Sequence, residues 1–366
     1  MKKEHTVVLE LVKYGNKKID KLSKLLNDKT INWIEVLGYL CYHRVSGIAY
    51  ETLNQIDVRK VDFSVFFSLY MIYESQSIRT NIQKEQIKII SSKLCEANIK
   101  HAFLKGSILS SILYSEGART SNDIDILVSK RSILKVKELL SGLGFLQGKY
   151  DYKNNIINEV GQDELDKSLD TRGEMFPFVK ILNKWTVKTV DVDINFSLNC
   201  ESVSLENYVD YFLDQRITII MDKDNSIYSL AEEHMFVHLC SHLYKDAVFI
   251  DIVTKRKVLD LYKFVDIYTF IQKYFDVLDI EKLYIDSVKF NFGKHIYFTL
   301  KYTSLIFPDI LDISKVVLLL SKFSFFDDKV MNEIFDQYDQ KNKMIDNGDL
   351  IERLFSYDII NRYTKI

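Results

Sequence analysis

Proline occurs at only two positions in this chain of 366 residues, Pro177 and Pro308. Because proline lacks a backbone N–H group and fixes φ, its scarcity permits long uninterrupted helices. The same scarcity excludes collagen-like, proline-rich and loop-dominated architectures. The chain is also long enough for two or three packed units. We therefore expect a globular protein in which helices occupy much of the length.

Charge and cysteine usage narrow the class of protein further. The 49 basic and 51 acidic residues leave a formal net charge of −2, which argues against a chain that coats nucleic acid or an anionic membrane. Net charge does not describe how the charged residues are distributed, so this composition is compatible with a local basic patch. No C-x-x-C pair occurs, which predicts reduced thiols and no disulfide framework. The four cysteines are Cys41, Cys95, Cys200 and Cys240.

Membrane and secretion signals are weak in this sequence. The N-terminal segment begins with basic residues but develops no apolar run of signal-peptide length. The most apolar stretch, residues 316–320, is too short to span a bilayer and is flanked by charges. We therefore expect a cytoplasmic protein without a membrane partner.

The spacing of apolar residues divides the chain into three parts. In residues 1–98 apolar side chains recur at three- and four-residue steps, as between Trp33 and Leu40, which predicts helices. Residues 99–200 combine short apolar runs, glycine turns and helical stretches. Residues 201–366 return to helical spacing, and we expect them to stay helical to the end. The prediction is an α/β (α+β) fold, with a small mixed sheet framed by helical regions.

The central part has a clear order of elements. Ala102–Leu104 predicts a strand that ends at the tight turn Lys105–Ser107, after which helical spacing begins. A second strand is predicted at Asp123–Val128, and two more within residues 176–198. Residues 149–174 are polar and irregular, so we expect them to form a loop or short helix over the sheet.

Aspartates occupy alternate positions on two of these strands. Side chains at i and i+2 of a strand face the same way, so Asp123 and Asp125 project together. Two adjacent carboxylates repel each other unless a cation lies between them, and Mg²⁺ takes carboxylate and phosphate oxygens. Asp191 and Asp193 repeat the arrangement on the later strand. If the two strands are neighbours, a third carboxylate reaches the same site.

The turn at Lys105, Gly106 and Ser107 predicts a phosphate site. Glycine allows close backbone approach, and the first N–H groups of the following helix point outward with no partner in the helix. The hydroxyl of Ser107 adds a further donor. A phosphate site beside metal-binding carboxylates indicates a nucleoside triphosphate bound through Mg²⁺. The corresponding chemistry is phosphoryl or nucleotidyl transfer by a two-metal route.

These motifs resemble those of a known group. Gly106 and Ser107, followed by Asp123-Ile124-Asp125, resemble the signature of the DNA polymerase β nucleotidyltransferase superfamily. Extended by Lys105, Arg119 and the strand to Val128, the pattern is similar to the bacterial branch of uncharacterised nucleotidyltransferases. The likeness runs sparsely over about residues 33–271, and only its central block is specific.

The resemblance implies a nucleotidyltransferase core over residues 99–200, with helical regions at 1–98 and 201–366. It implies that two Mg²⁺ ions, with Mn²⁺ as an alternative, are held by catalytic carboxylates, with Asp193 the better third ligand. Asn195 departs from the branch, which commonly has histidine there. The implied metal and catalytic residues are Asp123, Asp125 and Asp193, and the implied nucleotide-binding residues are Lys105, Gly106, Ser107 and Arg119.

Two residues of the C-terminal region are further candidates. We expect the triphosphate to bind in a cleft between the sheet and the C-terminal helices. The resemblance places His242 and Asp266 on helices that could face this cleft, where they would orient the acceptor or the base of the nucleotide. His234, His238 and His242 recur at four-residue steps on one predicted helix. Two such histidines can bind zinc, but no H-E-x-x-H motif is present, which favours a structural role.

The predicted function is metal-dependent transfer of a nucleoside monophosphate from a nucleoside triphosphate, ATP or another, to a hydroxyl or similar acceptor. Pyrophosphate is released. A small molecule or a peptide or protein fits the near-neutral composition best as acceptor. The alternatives are a toxin-like nucleotidyltransferase acting on tRNA, and a non-catalytic protein that binds nucleotides.

Overall fold

A computed structural model of the chain shows how these segments fold. It describes residues 1–14, 19–56, 60–182, 184, 186–198, 208–223, 225–253, 259–336, 342–356 and 363–365. Cys41, Cys95 and Cys240 carry free thiols, and Cys200 lies outside the described residues. No helix within these ranges is both long and apolar enough to cross a membrane.

Helices occur at both ends of the chain and between the strands. The longest, of 34 residues, contains no proline. In chain order they are α1 (Lys3–Leu11), α2 (Ile19–Leu25), α3 (Trp33–Tyr42), α4 (Ser46–Leu53), α5 (Phe63–Glu96), α6 (Lys105–Ile112), α7 (Ile133–Gly142), α8 (Gln162–Arg172), α9 (Tyr208–Asp214), α10 (Glu232–Val248), α11 (Ile250–Val253), α12 (Leu261–Tyr274), α13 (Ile280–Lys289), α14 (Gly293–Ile306), α15 (Ser314–Lys322) and α16 (Leu350–Phe355).

Strands form one large mixed sheet and one small sheet. In chain order they are β1 (His101–Phe103), β2 (Asp123–Val128), β3 (Leu146–Asp151), β4 (Ile156–Glu159), β5 (Phe178–Ile181), β6 (Thr189–Asn195), β7 (Ile217–Asp222), β8 (Asn225–Ser229), β9 (Glu333–Phe335), β10 (Asn342–Asp346) and β11 (Tyr363–Lys365). The large sheet has the order β4-β3-β5-β6-β2-β1-β8-β7, and the small sheet has the order β11-β10-β9. The mixed sheet with helices at both ends of the chain confirms the predicted fold class.

The chain divides into two compact units. The helical unit comprises Met1–Glu74, Gly117–Thr120 and Phe236–Ile366, and the sheet unit comprises Ser75–Glu116 and Ser121–Met235. All eight strands of the large sheet belong to the sheet unit, and the small sheet belongs to the helical unit. The three-part division by sequence position stays a prediction.

The centre of the large sheet is the pair β2 and β6, which run parallel to each other. β1 lies antiparallel to β2, and β5 lies antiparallel to β6. The side chains of Ile124, Ile126, Val192 and Ile194 are 0% exposed. Alternation along each strand turns these apolar residues to one face, so the intervening aspartates lie on the other face.

Two expectations about secondary structure were wrong. Residues 149–174 were expected to be a loop or a short helix, but they include the hairpin of β3 and β4 as well as α8. The segment after residue 201 was expected to be helical throughout, but it contains the hairpin of β7 and β8 and the small sheet. The strands β4 and β7 lie at the two edges of the large sheet. An edge strand is only partly buried, so its apolar pattern is weak.

Candidate functional site

The aspartates predicted from sequence come together where β2 and β6 pair. Asp123 lies opposite Asp191 and Asp125 lies opposite Asp193, in parallel register. Neighbouring strands are about 4.8 Å apart, so these side chains share one small area of the sheet face. Asp125 is the most buried of the four, at 2% exposure. The sequence placed a third carboxylate at this site only on the condition that the two strands are neighbours. The parallel pairing of β2 with β6 meets that condition.

Burial and neighbouring negative charge both act on the carboxyl group of Asp193. Burial raises the pKa of Asp193 well above its usual range, and the charges of Asp125, Asp123 and Glu174 raise it further. The charge of Lys105 lowers the pKa of the same group, but by less than these effects combined. The net effect on Asp193 therefore favours its uncharged form, and the charge of Lys105 offsets only part of it.

Lys105 places a cation at this face. Its Nζ donates to Oδ1 of Asp125 at 2.7 Å, and the two side chains are 16% and 3% exposed. Burial lowers the pKa of Lys105, but attraction to Asp125, and next to Asp123, outweighs burial and leaves the pKa above its usual value. The ammonium group therefore stays charged and bound to a carboxylate that the sequence assigned to metal.

The backbone at Lys105 is left-handed. Its φ is 40°, in a region that residues other than glycine rarely adopt. The left-handed conformation costs about 1–2 kcal/mol for a residue with a Cβ atom. Leu104 before it is extended and donates its N–H to the carbonyl of Asp125 at 3.0 Å. The turn from β1 into α6 therefore attaches directly to β2 and carries the Lys105 side chain with it.

Ser107 lies in the first turn of α6, where backbone N–H groups lack partners within the helix. It is 4% exposed, and its Oγ is buried with no hydrogen-bond partner among the described residues. A buried hydroxyl without a partner is costly unless a ligand or water completes it. Gly106 beside it accepts a hydrogen bond from Ser110 at 2.6 Å. These features fit the anion site that the turn predicts.

Two side chains beside the aspartates were not predicted to have a role. Asn195 is 7% exposed, and its Nδ2 donates to Oδ1 of Asp125 at 3.5 Å, the long end of the hydrogen-bond range. Glu174 follows the left-handed Gly173 at the end of α8 and forms an isolated bridge with Asn195. No local pattern marks Glu174, because its neighbours on the sheet are distant in sequence.

The donor chemistry of this face suits a hard divalent cation. Asp123, Asp125 and Asp193 offer carboxylate oxygens, the ligands that Mg²⁺ and Mn²⁺ prefer. As the side chains are placed, no group of three or more His, Cys, Asp or Glu within the described ranges is arranged to hold a metal ion. The ammonium of Lys105, and not a metal ion, is the positive group bound to the carboxylate of Asp125 in this arrangement. The residue types therefore fit a metal, and binding stays a prediction.

Arg119 and Asp266, both predicted from the resemblance, are partners in the helical unit. Nε of Arg119 donates to Oδ1 of Asp266 at 2.9 Å and Nη2 donates to Oδ2 at 2.8 Å. Their side chains are 6% and 5% exposed. The guanidinium also lies 5.7 Å from the ring centre of Tyr262. In this buried bidentate pair the guanidinium of Arg119 and the carboxylate of Asp266 bind each other. The roles of both residues toward ligands stay predictions.

His242 lies beside a second ion pair of the helical unit, formed by Asp246 and Lys263. Its Nε2 lies 4.0 Å from Oδ2 of Asp246, which also accepts a hydrogen bond from the ammonium of Lys263. The rings of His238 and His242 stack with centres 6.4 Å apart. In the sheet unit, the ring of His234 stacks on Phe212 at 3.9 Å. The stacking contacts of His234 and His238 are those of packed side chains.

Comparison with known proteins adds to this geometry. A family model described as uncharacterised nucleotidyltransferase matches residues 29–308, more than half of the chain. The chain belongs to this family. Membership supports nucleotidyl transfer as its general activity, and the matched range contains every residue assigned to the site above.

More distant comparisons add little. The chain is similar to a solved structure, an antigenic nucleotidyltransferase-like protein from Paracoccidioides brasiliensis, at 14% identity and a TM-score of 0.34. The match covers 64% of this chain and 92% of that chain. At this identity and TM-score the likeness indicates neither the fold nor the function of this chain. No curated protein matches the chain.

Proposed function

We propose that the chain is a metal-dependent nucleotidyltransferase of the DNA polymerase β superfamily. It transfers a nucleoside monophosphate from a nucleoside triphosphate to an acceptor and releases pyrophosphate. One observation carries this proposal, which is the parallel register that places Asp125 opposite Asp193 beside the Lys105 turn. Family membership supports the general reaction, and the register supplies the specific residues.

Binding of the triphosphate is assigned to the turn before α6. The N–H groups of the first helical turn, the hydroxyl of Ser107 and the ammonium of Lys105 are donors for phosphate oxygens. Gly106 leaves room for the phosphate to approach the backbone. Ser107 supports this assignment because its buried Oγ lacks a partner among the described residues.

Asp123, Asp125 and Asp193 would hold two Mg²⁺ ions, with Mn²⁺ as an alternative. When bound, such ions lower the pKa of an acceptor hydroxyl and neutralise the leaving pyrophosphate. The amide of Asn195, 3.5 Å from Oδ1 of Asp125, would help to orient that carboxylate. Burial and the neighbouring carboxylates, which raise the pKa of Asp193, support the proposal that this site takes up added positive charge.

Asp193 would also help to activate the acceptor hydroxyl in this reaction. The acceptor oxygen attacks the α-phosphorus of the triphosphate while the bond to pyrophosphate breaks. The hydroxyl proton must leave as the new phosphate ester forms. The carboxylate of Asp193 lies opposite Asp125 on the parallel strand, which makes it a candidate to accept this proton.

The acceptor is proposed to be a hydroxyl of a small molecule, peptide or protein. The formal net charge of −2 gives no global attraction to nucleic acid. A tRNA acceptor and a non-catalytic role in nucleotide binding are the alternatives that the experiment must separate. Arg119, His242 and Asp266 stay candidates for ligand contacts on the resemblance alone.

The test is release of pyrophosphate from each of the four labelled nucleoside triphosphates with Mg²⁺. Separate pools of small-molecule, peptide, protein and tRNA acceptors are supplied, and mass spectrometry identifies the modified acceptor. Asp125→Asn is compared with Glu159→Gln, which also neutralises an acid of the sheet unit but at an exposed position on β4. We expect Asp125→Asn to lower turnover by at least about a thousandfold and Glu159→Gln to leave it unchanged.

Three results would contradict parts of the proposal. Equal release by wild type and Asp125→Asn would remove Asp125 from the reaction. Modification of the tRNA pool alone would replace the proposed acceptor class. Tight binding of a triphosphate, measured by calorimetry, with no product in any pool would favour the non-catalytic alternative.

A further inference from the structure

Lys105 has two features that a simple phosphate contact does not require. Its backbone adopts a left-handed φ of 40°, although the residue carries a Cβ atom. Its ammonium points back to the sheet and binds Asp125, twenty residues along the chain. Strained backbone persists only where surrounding contacts maintain it, and here the ion pair and the bond from Leu104 to the carbonyl of Asp125 do so.

The ammonium occupies the carboxylate that any bound cation would need. Oδ1 of Asp125 accepts from Lys105 Nζ at 2.7 Å and from Asn195 Nδ2 at 3.5 Å. Asp193 lies directly opposite on the parallel strand. Because Asp125 is 2% exposed, water screens this position little. An ammonium and a divalent cation on the same buried carboxylate would repel each other strongly.

A triphosphate offers the ammonium another partner. The stem of lysine is flexible and its ammonium group rotates freely, so Nζ can turn from a carboxylate to a phosphate without movement of the backbone. The first turn of α6 begins at Lys105 itself. The Oγ of Ser107, which has no hydrogen-bond partner within the described part of the chain, lies two residues further on. A phosphate bound at this helix end would therefore lie close to the base of the Lys105 side chain.

We propose that Lys105 is a resident counter-ion, which occupies the cation position at Asp125 until a metal–triphosphate complex displaces it toward the phosphates. This inference rests on the proposed nucleotide site. It makes Lys105 a positioning residue that couples two ligands. Metal alone binds weakly because it competes with Lys105, and the triphosphate relieves that competition. Metal and triphosphate therefore bind cooperatively, each raising the affinity for the other by the same factor.

The test measures binding instead of turnover. Mn²⁺ alone is titrated into the full-length wild type and the Lys105→Met variant, with electron paramagnetic resonance reporting free Mn²⁺. Inorganic tripolyphosphate, which has no base, is then titrated by calorimetry with and without Mn²⁺. The control is Lys100→Met, which removes one positive charge from the same unit at a side chain 56% exposed and paired with Asp214.

We expect Lys105→Met to bind Mn²⁺ alone at least tenfold more tightly than the wild type, and to bind tripolyphosphate at least tenfold more weakly. In the wild type Mn²⁺ should raise the affinity for tripolyphosphate, and in Lys105→Met this gain should be smaller, because only the direct contact between metal and phosphate remains. Lys100→Met should match the wild type in each titration. If Lys105→Met fails to fold, Lys105→Gly replaces it, because glycine accepts the left-handed backbone without strain.

Mn²⁺ binding to Lys105→Met that is equal to or weaker than binding to the wild type overturns the inference. Absence of Mn²⁺ binding in every variant overturns it too, together with the metal requirement. Failure of the proposed function alone would give a different set of results. In that case the Mn²⁺ and tripolyphosphate titrations behave as expected, and no acceptor pool yields a product.

Discussion

Asp125 and Asp193 lie directly opposite each other on the parallel strands β2 and β6. The pairing concentrates negative charge on a poorly hydrated face of the sheet, and burial together with Asp125 raises the pKa of Asp193. Such an arrangement costs stability in the ligand-free protein and is typical of a site that binds positive charge. Removing the charge of one partner should therefore stabilise the fold while it disables the site.

We predict that Asp193→Asn raises the free energy of unfolding of the ligand-free protein at pH 7 by about 1 kcal/mol. Urea denaturation of the wild type and the variant measures this difference. Glu159→Gln is the matched control, because its side chain is exposed and should change stability little. A loss of stability in Asp193→Asn would mean that the carboxylate makes a favourable contact that repulsion does not outweigh. Turnover of Asp193→Asn should fall by at least about a thousandfold.

The buried pair of Arg119 and Asp266 gives a second prediction. Both side chains are almost fully buried and make a bidentate contact, so Asp266→Asn leaves an uncompensated charge. We expect it to lower the free energy of unfolding by about 3–5 kcal/mol. The double variant Arg119→Met, Asp266→Leu should recover most of that loss, since two apolar side chains need no charged partner.

Urea unfolding of Arg119→Met, of Asp266→Leu and of the double variant completes a thermodynamic cycle for this pair, and Asp266→Asn is measured beside them. Additive losses in the double variant would show that the ion pair is not coupled. A loss below about 1 kcal/mol in Asp266→Asn would show that water reaches the pair.

The parts of the candidate site that depend only on residues close together in sequence were predictable. Alternation on β2 puts Asp123 and Asp125 on one face because Ile124 and Ile126 must be buried, and this follows from the strand period alone. The turn at Lys105 is likewise marked by its neighbours. These two patterns are enough to identify a candidate nucleotide and metal site from the sequence.

Contacts between distant segments were not predictable from spacing. The partnership of Arg119 with Asp266 joins residues 147 positions apart, and the resemblance alone named both without pairing them. Glu174 approaches Asp193 only because α8 ends at Gly173 beside β6. The ion pair of Lys105 with Asp125 needs the antiparallel pairing of β1 with β2 as well as the turn. Each of these depends on tertiary pairing, which leaves no periodic trace in one sequence.

A third prediction concerns close packing at Gly47 in α4. A Cβ atom there would lie 2.6 Å from the carbonyl oxygen of Ala118 and closer still to that of Gly117. Both obstacles are backbone atoms, which cannot rotate away. We expect Gly47→Ala to lower the free energy of unfolding by about 1–3 kcal/mol.

The control for this change is Gly142→Ala, at the end of α7, where a Cβ atom would meet nothing within 4 Å. That variant should be neutral or more stable by about 0.5 kcal/mol, because alanine restricts the unfolded chain more than glycine does. Thermal unfolding followed by circular dichroism compares the two. Equal midpoints would show that α4 shifts to accommodate the added methyl group.

The last prediction concerns pH and the buried His295 in α14. This residue is 1% exposed and its ring stacks on Tyr244 with centres 4.4 Å apart. Burial, and to a smaller extent Lys294, lowers the pKa of His295 to about 3. The unfolded chain takes up a proton near pH 6.5 and the folded protein does not, so stability is complete above pH 6.5 and falls as the pH drops toward 3. His295 alone should account for a loss of about 2 kcal/mol between pH 6.5 and about pH 4.5.

His295→Phe keeps an aromatic ring at this position and removes the titrating group, so its stability should fall less over the same pH range. Urea denaturation at about pH 7, 5.5 and 4.5 measures the two profiles. Some loss should remain in the variant, because burial also lowers the pKa of His43, to about 4. Parallel profiles for the wild type and His295→Phe would show that His295 becomes protonated within the folded protein. The difference between the profiles, and not the absolute stability at any one pH, is therefore the quantity that decides this prediction.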